Sequence, residues 1–345
     1  MNTIRRSLMN SKSEKEGLYA VTKKNNAPVM AICYAQGWAA NENYMTFEEA
    51  EAVTDIGTVF QNNQNVITFD ELQYFTNIPN IPENAFSNCA NITSITLPQQ
   101  VTSIGNRAFY KDNKIKHFIV PDNVTSIAFY TFHTTAFDSF TIGAGISSIT
   151  DNGGNFYSVL GTKAYKLSLA ITNYKEEDGV IYSNDKTQLR LFPSLKTGTF
   201  TIPSFVTSIS NYAFNNSRLS HINLPSNLTQ SAYGDRCFLS AKFISVEIPN
   251  SWISLKRVFN TCSNLVTFDI PSTVTSFDAY ALYINTIKNL IVRNTIPPST
   301  QNSSFERLTI TNIYVPDASV NTYKTTGKWA DFASYIHPLS EYVPS

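Results

Sequence analysis

The sequence predicts a repeat solenoid in which each coil of about 23 residues contributes one short parallel strand, with N- and C-terminal caps and an inserted β-hairpin region. Three recurring features lead there. The first is a column of prolines, Pro98, Pro121, Pro203, Pro225, Pro249, Pro271 and Pro316, spaced 23, 82, 22, 24, 22 and 45 residues apart. Arg293 stands in the column midway through the last gap, and Gly143, 22 residues past Pro121, shortens the long gap to 60. The second is an L-x-x-L-x-L pattern six, three and one residues before that column, as in Ile92/Ile95/Leu97, Ile115/Phe118/Val120 and Leu265/Phe268/Ile270. The third is a β-branched pair, such as Val101/Ile104 or Val206/Ile209, followed by Ala-Phe or a relative at Ala108-Phe109, Thr131-Phe132, Ala213-Phe214 and Ala281-Leu282.

Such a unit is built to stack. One strand cannot bury its apolar side chains alone, so neighbouring coils pair in parallel about 4.8 Å apart and share a core. Proline has no N–H for a ladder, so at the strand's end it stops the pairing and turns the chain. A stacked Phe column, at roughly 150 Å² or more per ring, would be the largest apolar contribution of each repeat. Three residues past the Phe comes a small side chain, Cys89, Asp112, Thr135, Ser217, Ala241 or Cys262, which suits a crowded turn. The copy ending at Pro203 departs, with Thr197 in its first apolar slot.

In chain order, residues 1–77 read as an N-terminal capping region, where Thr46 and Glu49 form a T-x-x-E capping box that starts a short helix near Phe47. Trp38, Ala40 and Asn43 stand where an EF-hand loop needs Asp, Asp or Asn, and Gly, so calcium is not expected there. Residues 78–335 carry the repeats, which lapse over about 151–196. Within that insert Val180 to Tyr182 and Leu189 to Phe192 flank Asn184-Asp185-Lys186-Thr187, a hairpin that either projects or replaces coils. The run Lys175-Glu176-Glu177-Asp178 beside it reads as a solvated turn. Ser319 to Lys324 and Trp329 to Tyr335 predict short helices that lay Tyr323, Trp329 and Phe332 over the last coil, ahead of a tail at 336–345.

Composition narrows the chemistry. Lys plus Arg and Asp plus Glu are 26 each, so no long-range field steers the chain to nucleic acid or an anionic membrane. Charged residues make up only 15%, so the surface is largely Asn, Ser, Thr and Gln and binds by hydrogen bonding and stacking. Cys33, Cys89, Cys237 and Cys262 lack zinc or disulfide spacing and read as small buried hydrophobes. The apolar run Val29 to Ala35 is far shorter than a membrane span, so no membrane insertion is expected. Arg5 and Arg6 imitate the basic start of a secretory signal, but Ser7 to Lys12 interrupts any apolar stretch behind them.

Leu97-Pro98 through Ala108-Phe109, and again Ile202-Pro203 through Ala213-Phe214, follow I-P-x-x-V-T-S-I-G-x-x-A-F. Asp178-Gly179-Val180-Ile181-Tyr182 matches a D-G-V-[IL]-Y insert, and Pro297-Pro298 with Val315 to Tyr323 matches a closing V-P-x-x-S-V-x-x-Y unit. In this the chain resembles the BspA-like leucine-rich repeat family of bacterial surface proteins, over about 78–335. The resemblance implies a leucine-rich repeat solenoid, adhesion, and a cell-surface or extracellular location. Because no signal peptide is visible, virion-associated and cytoplasmic locations stay open.

If the leucine slots point inward, the residues between them form two outward columns on the concave face. Four before the proline column these are Ser94, His117, Ser139, Thr199, His221, Ser245, Thr267, Asn289 and Asn312. Two before it are Thr96, Ile119, Thr141, Thr201, Asn223, Glu247, Asp269, Ile291 and Tyr314. Together they form the candidate ligand-binding surface, with Ile119 and Tyr314 as larger contacts and Glu247 with Asp269 as an acidic spot. Ser, Thr and Asn also suit strand packing and solubility for their own sake. His117 and His221 share a column but are too many coils apart for one zinc ion. Glu247 and Asp269, on adjacent coils, would be near the roughly 5 Å of a retaining glycosidase pair, but an open sheet offers neither cleft nor raised pKa. The expectation is therefore a binding or adhesion protein without catalytic residues, cofactor or metal, whose partner is a protein or glycan of a host or neighbouring cell. A phage-particle or intracellular structural protein is the alternative, and a glycosidase a remote one.

Overall fold

The computed structural model describes residues 19–112, 114–128, 130–146, 161–283 and 286–344. The signal-like start at Arg5 and Arg6 and the first part of the insert, 151–160, lie outside them. The chain forms two compact units, one built on Met1–Ile149 and one on Thr172–Ser345, with the short stretches between divided among them.

The first unit opens with its cap. Strand Tyr19–Thr22 pairs antiparallel with Tyr44–Thr46, around the helix Ala27–Ala35, whose Val29, Met30 and Cys33 are buried. The helix Phe47–Ala52 starts at the capping box: the Glu49 amide donates to Thr46 Oγ1 at 3.1 Å, and the Thr46 amide donates to Glu49 Oε2 at 2.7 Å. Two of the helix's orphan donors are thereby satisfied. The coils follow. Thr68–Phe69 pairs in parallel with Ser94–Ile95, and His117–Ile119 with Ser139–Ile142. The β-branched pair of each coil forms a second short leg, so that Asn80–Ile81, Ser103–Ile104 and Ser126–Ile127 make another parallel ladder. Gly143 replaces proline in its column because a Cβ there would collide with the backbone of Pro121 and Val120.

The Phe column stacks as the repeat predicts. Phe60, Phe86, Phe109 and Phe132 follow one another at centroid distances of 5.4, 5.4 and 5.5 Å, the last two pairs within 11° of parallel. A feature invisible to pattern reading surrounds a typical ring of the stack. The residues two before and two after it adopt left-handed backbone without being glycine, as at Asn84 and Asn88 around Phe86, and Tyr212 and Asn216 around Phe214. This conformation costs an ordinary L-residue about 1–2 kcal/mol. A third ladder offsets it, in which Asn84, Phe86 and Asn88 donate their amides to Asn106, Ala108 and Tyr110 of the following coil at 3.0, 2.9 and 2.8 Å. Tyr212, Phe214 and Asn216 donate likewise to Asp235, Cys237 and Leu239.

The second unit begins with the insert. Val180–Ser183 pairs antiparallel with Gln188–Leu191, which is the expected hairpin, and Gln188–Leu191 pairs in parallel with Ser208–Ile209. The hairpin's last strand thus replaces a coil's second leg. The acidic run is not a turn as expected: Tyr174–Glu177 is a strand paired antiparallel with Val180–Ser183, its Lys175, Glu176 and Glu177 exposed. The turn is only Asp178-Gly179, both at positive φ (50° and 79°), the geometry of a two-residue hairpin loop. A seven-stranded sheet follows, in the order Thr197–Thr201, Arg218–Asn223, Ser245–Glu247, Leu265–Ile270, Thr286–Val292, Thr309–Val315 and Ile336–Pro338, every neighbouring pair parallel. Phe192, Phe214, Phe238 and Phe259 run behind it at 4.6, 5.2 and 4.9 Å.

At the C-terminal end short helices cover the last coil, and the expected tail is no tail at its start, because Ile336–Pro338 pairs as the outermost strand of the sheet. The helix Val320–Thr325 and the 3-10 segment Gly327–Tyr335 lay Tyr323 and Trp329, both buried, over the last coil. Trp329 packs on Phe305 at 4.9 Å and Phe277 at 5.4 Å, and its Nε1 donates to the Pro298 carbonyl at 2.9 Å. The polar ends of these two rings are thus satisfied, that of Tyr323 by the Asn294 carbonyl at 3.0 Å.

Candidate functional site

Along most of the long strands burial alternates as a period of two demands: Phe118, Ile222, Val246 and Phe268 are inside, and the column residues beside them are exposed or half-buried. Register aligns the columns. His117, Phe118 and Ile119 oppose Ser139, Phe140 and Thr141 in the first unit. In the second, Thr199 opposes His221, His221 opposes Ser245, and Ser245 opposes Thr267. Glu247 likewise opposes Asp269, which opposes Ile291, which opposes Tyr314.

Within the columns the polar side chains bond to one another. Asn223 Nδ2 donates to Thr201 Oγ1 at 2.8 Å, Asn312 Nδ2 to Asn289 Oδ1 at 3.0 Å, and His117 Nδ1 lies 2.8 Å from Ser139 Oγ. His221 Nδ1 lies 3.0 Å from the hydroxyl of its neighbour Ser220. No group of three or more His, Cys, Asp or Glu among the described residues is placed to hold a metal ion. The four thiols are buried and none is in a disulfide, and burial pushes those of Cys33, Cys89 and Cys262 up to about 12.

The expected acidic spot is not one. Both oxygens of Asp269 accept from the Arg293 guanidinium, at 2.8 Å from Nε and 2.6 Å from Nη2, so its charge is balanced where Glu247 alone was thought to share it. Sequence offered one sign of this, the arginine standing in a proline column. A shallow groove of about 420 Å³ lined by Tyr233, Asp235, Lys256, Arg257 and Asp278 lies away from the columns. Its Arg257 forks onto Asp235 at 3.1 and 3.0 Å.

The chain itself covers part of the proposed surface in each unit. In the first unit Asp70, from the 3-10 turn Asp70–Tyr74, accepts from Ser94 Oγ at 2.7 and 2.8 Å and from Thr96 Oγ1 at 2.8 Å. In the second, Asn289 and Ile291 are 5% and 2% exposed, contrary to the expectation that every column residue faces solvent. What stays open is His117 and Ile119, the latter 65% exposed, in the first unit, and Thr199, Thr201, His221, Asn223 and Glu247 in the second. Ser139, Thr141, Ser245, Thr267, Asp269, Asn312 and Tyr314 are half-buried. Asp70 and the C-terminal segment gave no sequence signal, because neither belongs to the repeating pattern.

Several solved structures are similar to this chain at low sequence identity. A leucine-rich repeat protein from Eubacterium ventriosum is 24% identical with a TM-score of 0.51, covering 71% of this chain and 74% of its own. A leucine rich cell surface protein from Faecalibacterium prausnitzii is 20% identical, TM-score 0.45, covering 79% and 86%. The pneumococcal vaccine antigen PcpA is 16% identical, TM-score 0.48, covering 87% and 85%. No curated protein sequence matches the chain. The sequence model described as BspA type leucine rich repeat region matches six copies over residues 40–159 and 187–311, most of the chain and the coils described above. With repeat, stacking and match in agreement, the chain belongs to the BspA-type leucine-rich repeat family.

Proposed function

We propose that the protein is a non-enzymatic adhesion module that holds a protein or glycan of a host or neighbouring cell against the polar columns of its repeats. The observation that carries this reading is the run of exposed, aligned side chains Thr199, Thr201, His221, Asn223 and Glu247, repeated strand after strand. Donors and acceptors at the roughly 4.8 Å strand spacing suit an extended chain with regularly placed polar groups. Binding is favoured over catalysis because Asp269, the partner a glycosidase would need for Glu247, has both oxygens on Arg293. Family membership supports a binding scaffold and, with it, a surface location; no helix among the described residues is long and apolar enough to cross a membrane.

The test is a glycan and extracellular-matrix array probed with the intact chain and with a Thr201→Lys, Asn223→Lys double variant. A ligand captured by the wild type should bind the variant at least tenfold more weakly. Unchanged affinity would reject this face. Detection of the native protein in purified virions or only in cytosol would reject the surface location.

A further inference from the structure

The C-terminal segment supplies the observation. After the outermost strand, Ile336–Pro338, the chain makes one 3-10 turn, Leu339–Glu341, pinned by the Ser340 amide donating to Asp317 Oδ1 at 3.0 Å. It then returns extended at Tyr342 (φ −72°, ψ 122°). The Tyr342 ring packs on Tyr314, with centroids 5.1 Å apart, and its hydroxyl lies 3.3 Å from Thr267 Oγ1. Strand register places Thr267 and Tyr314 on the two strands flanking the one that carries Asn289 and Ile291. A side chain that reaches from Tyr314 to Thr267 crosses that strand, which accounts for the burial of Asn289 and Ile291 in columns that are open elsewhere.

These groups fit a phenol. Tyr314 is an aromatic wall and Thr267 a hydroxyl at the far end, the buried Ile291 lies on the strand between them, and Asp269, on the Thr267 strand, is held by Arg293 from just past that middle strand. Beyond Tyr342 the chain has no such seat, Val343 being 78% exposed. We propose that this part of the face is a docking groove for a partner polypeptide that presents a tyrosine on an extended segment, and that Tyr342 occupies the groove until that partner displaces it. The occupant now in place is itself an extended polypeptide bearing a tyrosine, which favours a peptide over a glycan here. The proposal rests on the polar columns being the contact surface, and names what one part of them takes.

A tethered side chain acts at an effective concentration of about 1 mM. A peptide with an affinity of about 100 µM for the empty groove should therefore bind the intact chain about tenfold more weakly than a chain whose tyrosine is gone. The experiment uses the full chain as wild type, Tyr342→Ala, and Tyr342→Ala with Thr267→Arg. Each is titrated by fluorescence anisotropy with a labelled Leu-Ser-Glu-Tyr-Val-Pro-Ser peptide, the sequence of residues 339–345, and with the same peptide carrying Ala for Tyr. The proposal expects binding to Tyr342→Ala, about tenfold weaker binding to the wild type, and loss with either the Ala peptide or Thr267→Arg. Equal binding by wild type and Tyr342→Ala overturns it, as does equal binding of the two peptides. A Tyr342→Ala chain with a native circular dichroism spectrum that binds no peptide overturns it too, and leaves Tyr342 a structural strap. If the peptide fails while the Thr201→Lys, Asn223→Lys chain loses its array ligand, only the groove is wrong. An array ligand indifferent to that double substitution sinks the reading of the face itself.

Discussion

Asp112 occupies a position at which its counterparts donate to the preceding coil. Cys89 Sγ donates to the Phe60 carbonyl at 2.8 Å, Thr135 Oγ1 to Phe109 at 2.9 Å and Cys262 Sγ to Phe238 at 3.3 Å. A carboxylate cannot donate, and neither oxygen of the fully buried Asp112 has a well-formed hydrogen bond. Burial pushes its carboxyl up to about 8, relieved only in part by the Cys89 amide. An unfolded Asp titrates near 3.9, so between about pH 4 and pH 8 the native state holds a proton that the unfolded state has lost. Stability from this group is therefore complete below pH 4, declines as pH rises through that window, and is level above it. Asp112→Thr, which installs the next coil's donor, should remove this decline and raise stability at pH 7 by a few kcal/mol. Urea unfolding of both chains from pH 5 to 8.5 measures it; parallel pH profiles would refute the assignment.

The Phe stack is the element on which each coil depends. Phe109 lies between Phe86 at 5.4 Å and Phe132 at 5.5 Å with its own side chain fully buried, so truncation removes contacts on both sides. Phe109→Ala should cost about 3–5 kcal/mol. Because coils interact with their neighbours only, amide exchange should accelerate around Phe86 and Phe132 while the Phe214 and Phe238 amides keep their protection. Uniform loss of protection would show a cooperativity that nearest-neighbour coupling does not supply. The strands, the stack and both caps were legible because each follows a local rule: period two in Phe118/Val120, spacing in Ala108-Phe109, a capping box at Thr46 and Glu49. The left-handed residues were not, since Asn84, Tyr212 and Lys111 have no common side-chain chemistry; what selects their backbone is the carbonyl of the next coil. The strand Tyr174–Glu177 was missed for a related reason, its exposed charges resembling a turn while its backbone pairs with Val180–Ser183.

At the scale of the molecule the even balance of charge, 26 against 26, leaves recognition to short-range contacts. Affinity for a ligand captured on the array should change by less than about twofold between 50 and 500 mM salt, because screening has little long-range field to remove. A steep salt dependence would point to a charged patch instead. The candidate surface was legible as geometry, since the columns follow from alternation, but its occupation was not: Asp70 and Tyr342 reach Ser94 and Thr267 across 24 and 75 residues without any repeating pattern. The amides around each ring point one way along the stack, from Asn84 to Asn106, Lys111 to His133 and Ser240 to Asn260. During synthesis the segment that has just left the ribosome therefore lacks the bonds that offset its bends until roughly two dozen more residues emerge. Growth is vectorial: each successor completes its predecessor, and a pause in translation would leave only the newest bend unfinished.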